Sequence, residues 1–147
     1  MIALRLVRLI EKHSEELSRG LMQRLTRRKD LDGLERIPPE ELLLRVHEVY
    51  RNLGDWLLER SVADVAGRYA EIGARRARQG VPLSTVLAAM SEVKDRLWQF
   101  LKAEQVADTP LEIYGELELL ERVDRFFDLA VFHAARGYEL ALREHAA

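Results

Sequence analysis

Cysteine is absent from the sequence. That removes disulfides, thiolate metal sites and thiol nucleophiles together. Only four histidines occur, His13, His47, His133 and His145, and no two stand four residues apart. A helical metal site of the HExxH or Glu-x-x-His kind therefore lacks its ligands, and no metal is expected. No P-loop, glycine-rich phosphate fingerprint or nucleophile elbow is present. No apolar run approaches the roughly 18 residues needed to cross a bilayer, which argues against a membrane partner. The opening "MIALRLVRLIEKHSEEL" carries arginines through its apolar pattern and has no small-residue cleavage site, so it reads as a helix rather than a signal peptide. The expectation is a cytoplasmic, non-catalytic domain.

What is present is a chain of 147 residues, 48% hydrophobic and 33% charged. That suits one domain with a proper core, spanning 1–147. The net charge of −2 is unevenly spread. Residues 1–29 hold eight basic and three acidic side chains, a balance of +5, while residues 108–147 hold four and nine, a balance of −5. The basic cluster Arg24 to Lys29, "RLTRRK", could serve a nucleic-acid partner. The alternative is that cations gather at the C-terminal end of the first helix, where the dipole favours them. With no helix-turn-helix pattern or interleaved aromatics, the second reading is preferred and a nucleic-acid partner is not expected.

Every segment reads as helix, and the fold class is all-α with about five to six helices. Leu6, Ile10, His13, Leu17, Leu21 and Leu25 recur at three- and four-residue steps, one stripe of a 3.6-residue period. Pro38 and Pro39, followed by Glu40 and Glu41, mark the start of a second helix. Its face is Leu43, Val46, Tyr50, Leu53 and Leu57, with a kink or end expected at Gly54 and Asp55. A third helix runs from Val62 past Tyr69 and Ile72 to Gly80, a natural left-handed terminator. Pro82 opens a fourth. Asp108 or Thr109 caps a fifth that begins at Pro110. No stretch alternates with period two, so no sheet is expected.

The fifth helix, from Leu111 to about Arg143, far exceeds the usual length of about 11 residues. It carries two apolar stripes. One holds Leu117, Leu120, Val123, Phe127, Val131, Ala134 and Tyr138; the other holds Leu119, Val123, Phe126, Ala130, His133 and Gly137. A face so wide is either central in its own domain or shared with a second chain. The preferred expectation is a C₂ homodimer through the last two helices. From the fourth helix it would use Leu83, Leu87, Met90 and Leu97. From the fifth it would use Leu119, Val123, Phe126, Phe127, Ala130, Val131, His133 and Ala134.

Other chemistry is thinner. His133, on an apolar stripe, could be a haem ligand, as could His47; a core or interface histidine bonded to a carbonyl is the plainer reading. Trp56, Tyr69 and Trp98 could line a ligand cavity or simply fill the core. The many carboxylates of the fifth helix stand four residues from arginines, as Glu118 does from Arg122 and Glu121 from Arg125, which describes a solvated face.

Two segments carry a resemblance. "YAEIGARRARQGVPLSTVLAAMSEVKDRLWQFL" (Tyr69 to Leu101) has a Gly-x-Pro-Leu-x-x-Val-Leu corner and a Leu-Trp pair. "ELELLERVDRFFDLAVFHAARGYE" (Glu116 to Glu139) has an Arg-Val-Asp-x-Phe-Phe-Asp core and an Ala-Ala-Arg-Gly-Tyr ending. Over Leu43 to Glu139 the chain resembles the N-terminal domain of the RsbRD-type co-antagonists of RsbT, from the bacterial stressosome. The resemblance implies a globin-like sensory domain without haem, dimeric through its last two helices, in bacterial stress signalling. The partner it implies is a downstream signalling protein or a fused output domain. No phosphoacceptor or STAS-like segment follows Tyr138 in this sequence, so the expectation is either an output domain that lies outside it or a stand-alone adaptor that binds a protein or nucleic-acid partner.

Overall fold

The apolar stripes become five helices: α1 (Ile2–Arg27), α2 (Pro39–Glu59), α3 (Val62–Arg78), α4 (Leu83–Glu104) and α5 (Pro110–Ala146), with one 3₁₀ turn at Leu34–Arg36. They are seen in a computed structural model that describes residues 2–59, 62–104 and 109–146. Among the described residues there is no strand. The expected Asp108 cap lies outside the described residues, as does the side chain of His145. Thr109 caps α5, its hydroxyl accepting the Glu112 N–H at 3.1 Å.

Most of each stripe goes inward, although Leu43, expected on the buried face of α2, and Leu117 of α5 are exposed. Leu6, Ile10, Leu17, Leu21 and Leu25 of α1 are buried together with Val46, Tyr50, Leu53 and Leu57 of α2. His13 is the exception on the α1 stripe, half-buried with its ring 5.2 Å from that of Phe100. The expected break at Gly54 does not occur, and α2 continues to Glu59. Gly54 is buried, and a Cβ there would meet Val7 Cγ1 at 3.4 Å, an ordinary van der Waals contact.

The most extensive packing in the molecule is between α3 and α5. It rests on small residues one turn apart on each helix, Ala70 and Gly73 against Ala134 and Gly137. With no side chain between them, the two backbones touch. Around this contact α5 buries Leu119, Val123, Phe126, Phe127, Ala130, Ala134 and Tyr138. Phe126 is fully enclosed, edge-on to Tyr69 of α3 at 5.8 Å and to Phe127 at 5.3 Å.

This overturns one step of the sequence reasoning. The second apolar seam of α5 is covered by the protomer's own helices except at half-buried His133. The first is covered at Val123, Phe127, Ala134 and Tyr138 but not at Leu117, Leu120 and Val131, so the width of the face does not by itself require a twin. Leu97, Leu119, Val123, Phe126, Phe127, Ala130 and Ala134, all expected at a dimer surface, are 4% exposed or less. A second copy cannot reach them without unpacking the core. The physical reason is the glycine-mediated approach of α3, which covers more of the circumference of α5 than a neighbour held off by larger side chains would.

Candidate functional site

The corner between α3 and α4 is the most elaborately held part of the backbone. Gly80 takes a positive φ of 74°. Its N–H bonds to Ala77 O at 3.0 Å and that of Val81 to Arg76 O at 3.1 Å, the paired bonds of a Schellman terminator. Pro82 then accepts the first N–H groups of α4, from Thr85 and Val86. Two segments distant in sequence converge here, the stretch around Asp32 and Arg36 and the end of α5. The Arg36 guanidinium donates to Gly80 O, and the Thr85 hydroxyl donates to Asp32 O at 2.7 Å. From α5 the buried Tyr138 hydroxyl donates to Val81 O at 2.5 Å. Ile37, Val81, Val86 and Tyr138 form a small apolar cluster of their own around this point.

Beneath the corner lies an apolar cavity of about 80 Å³. Its floor is buried Leu25, Val46, Tyr69, Val81 and Val93, and its rim is half-buried Leu42, Val49, Ile72, Ala89 and Met90. Arg76, Arg45 and Thr85 also reach it. Arg76 is buried yet paired, bonding Glu41 at 2.9 Å and Gln79 at 2.8 Å. Burial pushes the Glu41 carboxyl up, but the hydrogen bonds and charges of Arg76 and Arg75 outweigh it and hold the group below its usual range. Among the side chains that line it, two polar atoms stay buried without a hydrogen-bond partner, the Tyr69 hydroxyl and Arg45 Nε. Burial pushes the Tyr69 phenol up to about 12.

On the outer side of α2 and α3 there is a larger, polar groove of about 570 Å³. Its charges are mixed and mostly matched within the chain: Arg45 pairs with Glu48 at 2.8 Å, and Arg68 donates to Asn52.

The aromatic residues expected to line a cavity are only partly brought together. Trp56 and Tyr69 both pack on Phe126, and the Trp56 indole donates to Arg122 O at 3.1 Å; the two also line one small, more polar recess with Asn52 and Arg68. Tyr69 lines the apolar cavity. Trp98 stands apart, its indole 3.3 Å from Asp124 and Lys102 over its ring. Neither His133 nor His47 lines the apolar cavity. His133 is half-buried beside the Phe132 ring, and His47 lines a shallow recess between α1 and α2. Among the described residues no group of three histidine or carboxylate side chains could hold a metal.

Of the α4 and α5 residues expected at an interface, Leu83, Leu87, Met90, Val131 and His133 remain half-buried and reachable. The basic cluster is partly tied down: Arg24 bonds Gln99 at 3.1 Å, and Arg28 bonds Glu92 at 3.0 Å and Asp30 at 2.6 Å. Sequence reasoning missed the Arg76–Glu41 pair and the α3–α5 glycine contact. The repeated small-x-x-small spacing, Ala70 with Gly73 and Ala134 with Gly137, was the available signal for the second.

Residues 15–147 match the family model described as the RsbT co-antagonist protein rsbRD N-terminal domain, and the chain belongs to that family. Among curated proteins no match is found. The match takes in all of α2 to α5 and the second half of α1, a longer stretch than the two quoted segments span. This is a family of stress-signalling regulatory domains. Among the described residues no helix is long and apolar enough to cross a membrane.

Proposed function

We propose that the chain is a non-catalytic input domain of bacterial stress signalling that acts as a cytoplasmic homodimer and relays a signal along α5. One observation supports this best: α5 has two faces with different jobs. Its inner face is locked to α3 by Gly137 and to the α3–α4 corner by Tyr138. Its outer face leaves Leu117, Leu120, Val131, Ala135 and Leu142 exposed or half-exposed, at spacings that fall on one side of a helix. Phe132, 56% exposed, flanks that stripe. Apolar side chains aligned along a helix and open to water favour a partner helix, and a symmetric pair of identical chains is the commonest way to supply one.

A change at the corner would then move Tyr138, and with it the stripe that a second copy contacts. The recipient is a downstream signalling protein or an output domain joined to α5. Light scattering of the purified chain at micromolar concentration tests the reading: a dimer is expected, and a monomer throughout that range overturns it.

A further inference from the structure

We infer that the cavity beneath the α3–α4 corner is a binding site for a small uncharged apolar molecule, whose occupancy is read by Tyr138 of α5. The inference deepens the sensory reading above and rests on it for the second half only. Apolar side chains ordinarily close up to crystal-like density, yet here a half-open pocket of about 80 Å³ remains between four helices. Short side chains leave the room: Ala89 and Thr85 stand on α4 where a longer residue would fill the space.

The wall chemistry selects the occupant. The Thr85 hydroxyl is committed to Asp32 O, and the Arg76 guanidinium to Glu41 and Gln79. The unpaired Tyr69 hydroxyl and Arg45 Nε are themselves enclosed by protein and offer the cavity no accessible polar surface. Water needs two to four polar partners to be held in place, and this wall offers few, so water entering from the open side is poorly ordered and readily displaced. An apolar molecule instead gains the dispersion contacts that the empty wall forgoes. The space is roughly half that of an engineered apolar cavity of about 150 Å³ that takes benzene or xenon. The class is therefore dissolved apolar gases and the shortest hydrocarbons, and a charged or hydrogen-bonding metabolite is disfavoured.

Entry and readout follow from the rim. Met90 and Leu42 are half-buried and pack against both the main core and the small corner cluster that holds Tyr138. Methionine is the adaptable side chain of such rims. An occupant that shifts Met90, Val81 or Val86 acts directly on the residues around the Tyr138–Val81 hydrogen bond.

The test is methyl and aromatic NMR of the chain under rising xenon pressure. Saturable shifts at Ile72, Val86 and Met90, with a parallel shift of the Tyr138 ring, are expected. Shifts that rise linearly and spread to surface methyls such as Leu140 overturn the site. Saturable shifts at the cavity with Tyr138 unmoved overturn the link to α5. Ala89→Leu should abolish the saturable response; if that variant fails to fold, Val49→Phe on α2 puts the same question. Light scattering without xenon reports the dimer separately, so failure of the cavity and failure of the dimer reading are told apart.

Discussion

Gly73 of α3 and Ala134 of α5 are in backbone contact: a Cβ placed on Gly73 would lie 2.7 Å from the Ala134 carbonyl carbon, a separation real Cβ atoms do not show. One turn along each helix the contact is repeated, and a Cβ on Gly137 would lie 2.7 Å from the Ala70 carbonyl carbon. Neither obstacle is a side chain that can rotate away. Gly73→Ala and Gly137→Ala must therefore push α3 and α5 apart. Each is expected to destabilise the fold by about 3 kcal/mol, the upper range for overpacking, although alanine is the better helix former. Urea unfolding measures this. The double variant should cost less than the sum, because helices already parted by one methyl admit the second more easily.

Tyr138 holds the corner through one buried hydrogen bond. Tyr138→Phe keeps the ring in its apolar cluster but leaves Val81 O without that donor. A loss of about 1–2 kcal/mol is expected. Amide exchange should accelerate most at Val81, whose N–H closes the helix end, and little in α1. A uniform change across the molecule would mean that the bond contributes only global stability and does not tie α5 to the corner.

The periodicity of the apolar residues made the helices legible, because burial of one face is what the stripe encodes. Leu6 to Leu25 and Val46 to Leu57 went where their spacing sent them. The left-handed Gly80 and the proline behind it were equally readable, since few residues accept that geometry. Gly54 misled, because α2 continues through it: the cost of about 1 kcal/mol for one glycine is small beside the burial of the face that carries Val46 to Leu57. Coverage of α5 was illegible for a different reason. The width of an apolar face states how much must be buried, and only the small residues of α3 decide that the same chain buries it. The convergence of Arg36, Thr85 and Tyr138 on the corner joins residues far apart in sequence through backbone carbonyls, which carry no residue-specific signal.

Glu41 links acidity to the fold. Its folded pKa lies below its unfolded value of about 4.3, so its pairing with Arg75 and Arg76 stabilises the domain fully at pH values above that number. The contribution is lost as pH falls through the lower, folded value. Glu41→Gln removes the charge and leaves buried Arg76 with Gln79 as its remaining acceptor side chain. At neutral pH the variant should be about 2 kcal/mol less stable than the parent. Thermal melts of both chains through the acid range should converge; a gap independent of pH would show that the carboxylate charge is not what matters.

Two faces of one helix separate folding from association. Phe126 is fully enclosed, and Phe126→Ala should cost about 4 kcal/mol of stability by opening a cavity against Tyr69 and Trp56. Leu117 and Phe132 are 55% and 56% exposed on the opposite side of the helix. Leu117→Glu and Phe132→Glu should change the stability of the protomer by no more than about 0.5 kcal/mol. If the outer stripe is where two copies meet, the pair of charges should shift the molecule to monomer in light scattering while far-ultraviolet circular dichroism is unchanged. A double variant that remains dimeric would move the interface off this stripe, to the reachable residues of α4 such as Leu83 and Leu87. The fold and the Tyr138 link to the corner would stand, but the outer face of α5 would no longer be the surface that carries the signal.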